Sequence, residues 1–201
     1  MENIAASVAQ QRTELRKQLR QRRNSLSPQQ QRTASLALSE ALISLTNPND
    51  RVALYLANDG EISPNLAIEK LIQQNRQCLL PVMHSFRKGY LNFQSYDQNT
   101  AMIKNQFGIL EPRLNAAQTI PLQEIDYIFM PLVGFDNQGN RMGMGGGFYD
   151  RTLAQVHQLS SPPRLVGLAH DCQHVEALPV ASWDIPIQLI LTPTKKITPV
   201  G

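Results

Sequence analysis

Apolar and polar positions follow one another along this chain in blocks that predict strands separated by helices. Residues 3–23 contain neither glycine nor proline, and Leu15, Leu19 and Leu26 recur at spacings of four and seven, which predicts a helix over about 3–23. Arg12, Arg16 and Arg20 then line up along a neighbouring stripe. Ser27 before Pro28, with Gln30 three residues after the serine, is a capped helix start, and that second helix is expected to run to about Leu45. An Asn-Pro-Asn-Asp turn at 47–50 ends it, and the short apolar run 52–56 suits a buried strand. A polar turn (Asn58-Asp59-Gly60-Glu61), a helix near 64–74 and another apolar run at 78–82 continue a β-α-β rhythm. Residues 90–96 alternate like a half-exposed strand, whereas 125–131 is continuously apolar and is expected near the sheet centre. Further strands are predicted at 165–169 and 188–191, after a helix from about 148 to 158. Strands alternating with helices predict an α/β protein with an open, largely parallel sheet and helices on both faces, ligands lying beyond the carboxyl ends of the strands. No repeat or linker divides the chain, so 1–201 is read as one α/β domain with a basic N-terminal helix.

Composition narrows the function classes. Of 201 residues, 42% are hydrophobic and only 17% charged, which opposes a disordered chain. The longest apolar stretch without a charge, 127–135, is about half of a bilayer span and contains Pro131 and Gly134, so no membrane association is expected. Cys78 and Cys172 are too few and too far apart for a disulfide framework, and the first thirty residues lack an apolar signal core, so the expected location is the cytoplasm. The net charge of +3 conceals an asymmetry: six of the 19 basic residues and one of the 16 acidic residues lie within 12–23, leaving 13 basic against 15 acidic elsewhere. A segment this basic suits phosphates of a nucleic acid or of a small ligand, an organelle-targeting peptide, or simply a solvated helix face.

The segment richest in chemistry is 135–151. Four of the five residues at 143–147 are glycines, which lets successive backbone N–H groups converge on one anion ahead of a helix start. Arg141 and Arg151 flank this loop and can donate charge-assisted hydrogen bonds to phosphate, and Asp150 offers a hard oxygen to a magnesium ion. There is no Gly-Lys-Ser/Thr ending and no third glycine at the dinucleotide spacing, so neither common glycine fingerprint fits. A flexible turn without ligand is the bland alternative.

The run Met130-Pro-Leu-Val-Gly-Phe-Asp136 followed by Gly139-Asn-Arg-Met-Gly-Met-Gly-Gly-Gly-Phe-Tyr-Asp-Arg151 resembles the signature of the 5-formyltetrahydrofolate cyclo-ligase family almost residue for residue. Supporting matches are the basic start at 12–26 followed by Ser27-Pro28, the strand and turn at 55–62, Phe107-Gly-Ile-Leu-Glu-Pro112, and Trp183-Asp-Ile-Pro-Ile187. The resemblance implies the α/β fold of the sugar-isomerase and CoA-transferase type. It also implies an ATP- and Mg²⁺-dependent ligase that closes 5-formyltetrahydrofolate to 5,10-methenyltetrahydrofolate through a phosphorylated formyl group, releasing ADP and phosphate. Carried over by position, Arg12, Arg16, Arg141, Met142, Gly143, Met144, Gly145, Gly146, Gly147, Phe148 and Tyr149 bind ATP. Asn58, Glu61, Met144, Gly145, Gly146, Gly147 and Phe148 meet the folate, Asp150 and Asp184 ligate magnesium, and Arg141, Tyr149 and Asp150 are catalytic. The family often has Lys at the place of Arg12, an Arg or Tyr at that of Met144, and in some members an acid at that of Gln188.

The expected partner is the small-molecule folate, with no nucleic acid and no membrane, bound by a monomer. The four histidines are read as surface or satisfied loop residues rather than a zinc site. A nucleic-acid-binding module working through the arginine helix is the second reading, with Arg20, Arg22 and Arg23 central to it and peripheral to the enzyme. A sugar-phosphate or acyl-group enzyme is the third. Arg141→Ala and Asp150→Asn are expected to stop turnover with little loss of stability, both being placed on a loop at the sheet edge.

Overall fold

The computed structural model describes residues 2–181 and 184–199. In chain order the elements are α1 (Glu2–Asn24), α2 (Pro28–Leu45), β1 (Arg51–Ala53), α3 (Asn65–Gln73), β2 (Gln77–Met83), β3 (Leu91–Ser95), β4 (Met102–Lys104), β5 (Leu110–Pro112), β6 (Thr119–Ile120) and β7 (Tyr127–Pro131). There follow β8 (Gly134–Phe135), β9 (Arg141–Met142), α4 (Phe148–Leu153), β10 (Arg164–Leu168), β11 (Leu189–Leu191) and β12 (Lys196–Ile197). The predicted start of α2 is realised by mutual capping: Ser27 Oγ accepts from Gln30 N at 3.3 Å, and Gln30 Oε1 accepts from Ser27 N at 2.8 Å.

Eight strands form one sheet in the order β12-β11-β10-β7-β1-β2-β3-β6. The five inner strands run parallel and the outer pairings are antiparallel. The sheet is therefore largely parallel at its centre, and β7 lies between β1 and β10. Period-two alternation divides the core: Val52, Phe129, Val166, Leu189 and Leu191 pack beneath α2 and α3, while Ala53, Ile128, Leu165 and Ile190 face Leu153 and Val156 on the other side.

Several elements differ from the sequence reading. The strand predicted at 52–56 stops at Ala53, and the chain then turns into the site. The helix predicted over 148–158 is six residues long, followed by a 3₁₀ turn at Val156–Gln158. The small β8–β9 hairpin lies in the eleven residues between β7 and the glycine-rich loop, and a second hairpin, β4–β5, arises from a stretch that carries no clear periodicity. No helix among the described residues is long and apolar enough to cross a membrane.

Candidate functional site

The carboxyl ends of β1, β2 and β7 open onto a cleft of about 610 Å³. Its walls come from distant parts of the chain: Arg12 and Arg16 of α1, the turn after β1, the β4–β5 hairpin and the loop at 143–147. Open α/β sheets bind ligands at this edge because strands that diverge there leave a crevice. All the residues expected at the site line the cleft except Met142, which is buried behind it, its carbonyl accepting from Val133 N at 2.7 Å. β9 pins Met142 into the hairpin, which is why its side chain cannot face a ligand.

The turn Asn58-Asp59-Gly60-Glu61 is closed by Glu61 N donating to Asn58 O at 3.1 Å, with Asp59 and Gly60 both at positive φ. Glu61 Oε2 accepts from Asn58 N at 3.0 Å. Burial lifts the Glu61 carboxyl to about 7, opposed by the Asn58 hydrogen bond and the Arg23 charge. Asp59, by contrast, accepts from Arg20 at 2.7 Å and from Arg23 at 2.8 Å and is held down to about 2. Tyr55 and Tyr149 also face the cleft, and burial raises both phenols.

On the opposite wall, Gly145 and Gly147 adopt φ of +95° and +64°, conformations open to glycine. Arg16 Nε donates to Gly143 O at 2.9 Å, and Arg151 ties the loop down through Gly89 O and Gly146 O. Arg141 is buried on β9 and donates to Asp150 Oδ1 at 2.7 Å, while its Nε finds no hydrogen-bond partner among the described residues. A buried, unsatisfied guanidinium N–H in a cleft wall is an anion-seeking group. Its burial on a strand also corrects the expectation that Arg141 sits on a loop edge and can be removed cheaply.

Arg12 donates to both oxygens of Asp184, at 2.5 and 3.0 Å, and to Pro179 O at 2.6 Å. Asp184 Oδ2 additionally accepts from Ala181 N at 2.9 Å, so this expected magnesium ligand holds three hydrogen bonds within the protein. Asp150 has one oxygen on Arg141 and remains partly exposed. Among the described residues no group of three or more His, Cys, Asp or Glu converges as a metal cage. Asp150 keeps its second carboxylate oxygen off Arg141, and a magnesium ion bound with phosphates needs only one or two carboxylates.

The sequence reading missed several lining residues. Phe107, at the tip of the β4–β5 hairpin, meets Phe148 edge-on at 5.9 Å between ring centroids. Glu111 at the hairpin base accepts from Met83 N and Asn105 Nδ2 at 3.2 and 3.1 Å. The stretch containing Phe107 is part of the resemblance, and that was its one available signal. Arg23, read as peripheral, is fully buried. His170 is a loop residue but neither at the surface nor fully satisfied, being buried with its Nε2 lacking a hydrogen-bond partner among the described residues, and burial lowers it to about 4, whereas His174 faces Asn137 at 3.0 Å. Gln188 turns away to accept from Leu165 N at 2.9 Å. Trp183 lies outside the described residues.

A pH experiment follows from Glu61. Its folded carboxyl titrates above the ordinary value of 4.5, so the folded state holds the proton more tightly than the unfolded one. Its contribution to stability is present below that ordinary value and is lost as pH rises toward about 7. Glu61→Gln is expected to stabilise the unliganded protein by roughly 1–3 kcal/mol above neutral pH. Urea unfolding on both sides of this window checks it. Equal stability of the two proteins throughout would contradict the assignment.

The chain is similar to known proteins over nearly its whole length. Residues 8–193 match the model of the 5-formyltetrahydrofolate cyclo-ligase family. The chain is 46% identical over 184 residues to the 5-formyltetrahydrofolate cyclo-ligase of Haemophilus influenzae, covering 90% of this chain and 97% of that protein. It is 41% identical over 181 residues to the protein of the same name from Escherichia coli, covering 88% and 97%. A solved structure of 5,10-methenyltetrahydrofolate synthetase from Aquifex aeolicus superposes with a TM-score of 0.77 at 28% identity, covering 93% of this chain and 92% of that one.

Proposed function

The chain belongs to the 5-formyltetrahydrofolate cyclo-ligase family, a family of ligases, and we propose that it closes its folate substrate with ATP and magnesium in the cleft described above. The observation that carries this reading is the buried Arg141, its Nε unsatisfied, set beside a loop of glycines and facing Glu61 across one cavity.

Glu61, as a carboxylate, accepts from the paired N–H donors of the pterin, and Asn58 lies beside it in the same turn. Phe148 and Met144 provide apolar surface between the reactants. The loop amides at 143–147, with Arg16 and Arg12, hold the phosphates, and Arg141 neutralises charge on the group being transferred. The formyl oxygen attacks the terminal phosphorus and ADP leaves. A neighbouring nitrogen of the folate then attacks the formyl carbon, the carbon–oxygen bond to phosphate breaks, and the nitrogen's proton passes to water. The protein's share is positioning and electrostatics. Magnesium bound with the nucleotide would offset phosphate charge, and Asp150 would be the side chain to hold it. Asp184 orients Arg12.

Volume supports two adjoining subsites. A single drug-sized ligand occupies a pocket of roughly 300–1,000 Å³, so the main cleft suits the folate and the phosphates but not two whole reactants. A second cavity of about 580 Å³ shares Gly145, Gly147, Asp150 and Asp184 with it and is walled by Ala154, Ile185 and Pro186, beside His157. The nucleoside end of ATP fits there. We assign the reaction to a monomer of one domain, in the cytoplasm. The nucleic-acid reading is weakened because Arg20 and Arg23, two of the three arginines it centres on, are both paired with Asp59 within the protein.

The test is a mixture of the protein with 5-formyltetrahydrofolate, magnesium and ATP. Near-ultraviolet absorbance of the methenyl product should rise only when all three are present. Folded protein that gives no ATP-dependent rise contradicts the proposal.

A further inference from the structure

We infer that Arg23 is a positioning residue for this reaction: from inside the protein it clamps the Asn58-to-Glu61 turn to the end of β7 and to the glycine-rich loop, so that Glu61 is presented to the folate in one place. The inference rests on the folate reading of that turn.

Among the described residues Arg23 is the largest fully buried side chain. Burying a guanidinium is costly unless its donors are matched, and an apolar residue would pack α1 against the sheet more cheaply. The matching here is directed at the site. Arg23 Nε donates to Asp59 O at 2.8 Å, Nη2 to Asp59 Oδ2 at 2.8 Å, and Nη1 to Leu132 O at 3.1 Å. Nη2 also touches Met144 Sδ at 3.7 Å and lies 3.9 Å from Glu61 Oε1. One planar fork thus joins the turn, the strand end and the loop, which a lysine cannot do. Gln31 of α2 reinforces the arrangement, its amide reaching both Arg23 O and Gly60 O at 3.3 Å.

The charge pattern around Glu61 gives the role a measurable signature. Arg23 faces it from α1, Asp59 from its own turn, Tyr55 from the segment after β1 and Tyr149 from α4. Both tyrosines are raised by burial and stay neutral. His170, facing Arg23 from behind, is lowered to about 4 and is neutral as well. Arg23 is therefore the cation that opposes burial and the Asp59 charge in keeping Glu61 ionised.

The experiment is the pH dependence of KM for 5-formyltetrahydrofolate at saturating ATP in the unaltered chain, Arg23→Met, Arg23→Lys and Asp59→Asn, with thermal unfolding of each. The unaltered chain is expected to lose folate affinity as pH falls through about 7. Arg23→Met should move that limb upward by about one unit and raise KM about tenfold at neutral pH, with a much smaller change in kcat. Arg23→Lys should return the limb while keeping part of the KM increase. Asp59→Asn should move the limb downward, and with Arg23→Lys it carries the test if Arg23→Met does not fold. Folded variants that keep the unaltered limb and KM, whatever their thermal stability, overturn the inference. An unaltered chain that does not bind 5-formyltetrahydrofolate at any pH overturns the reading of the site itself, and the inference falls with it.

Discussion

Arg141→Ala is expected to lower kcat by about 10³-fold, the loss typical when one preorganised donor to a transferring phosphoryl group or oxyanion is removed. Arg141 donates with one nitrogen to Asp150 and holds another, buried and unsatisfied, in the cleft wall. It is therefore set before the substrate arrives, and its N–H need not reorganise as charge develops. Because Arg141 is buried, truncation will also cost on the order of 1–3 kcal/mol of stability, from the lost hydrogen bond and the space left behind. Arg141→Lys separates the two effects. It keeps the charge but loses the fork, so it should recover most of the stability and little of the rate. Asp150→Asn can still accept from Arg141, so it should leave unfolding nearly unchanged while lowering turnover and shifting its magnesium dependence. Stopped-rate absorbance assays beside urea unfolding check all three, and a kcat within tenfold of the unaltered protein for Arg141→Ala would contradict the role.

Gly145→Ala carries the second large effect. At φ +95° a side chain is strained whatever space surrounds it, and the nearest group to an added Cβ is the Arg16 guanidinium at 3.5 Å. Holding alanine in such a conformation costs about 1–3 kcal/mol, which is roughly 5- to 150-fold in affinity if the loop must return to it to bind. KM for ATP should rise within that range, while KM for the folate moves little and the fold is kept, because the loop can relax when empty. A substitution that weakens the folate as much as the nucleotide would show that the loop serves both reactants equally.

How much of this was legible in the sequence depends on the range of the interaction responsible. Local chemistry was readable: the Ser27 and Gln30 cap, the turn at 58–61 and the glycines at 143–147 all appear where their residue types require them. The central strands were readable too, because strands buried on both faces leave unbroken apolar runs. The short strands of the two outlying hairpins were not, since β8, β9, β4 and β5 have two or three residues each and lack the unbroken apolar run that marks β1 and β11. Nor were long-range partnerships. Arg12 and Asp184 stand 172 positions apart, and only the fold shows that this carboxylate is taken by an arginine. Arg23 lies in a run of like charges, where composition registers the charge but not the Asp59 that receives it 36 positions on. The burial of Arg141 likewise depends on the β8–β9 pairing, which no periodicity announces.

The most direct measurement is a crystal structure of the protein with ADP and 5-formyltetrahydrofolate bound. The account predicts the diphosphate against the amides of residues 143–147 and within hydrogen-bond reach of Arg16 and Arg141, with the pterin on Glu61. A diphosphate lodged elsewhere, with those amides free of it and Arg141 without a phosphate contact, would contradict it.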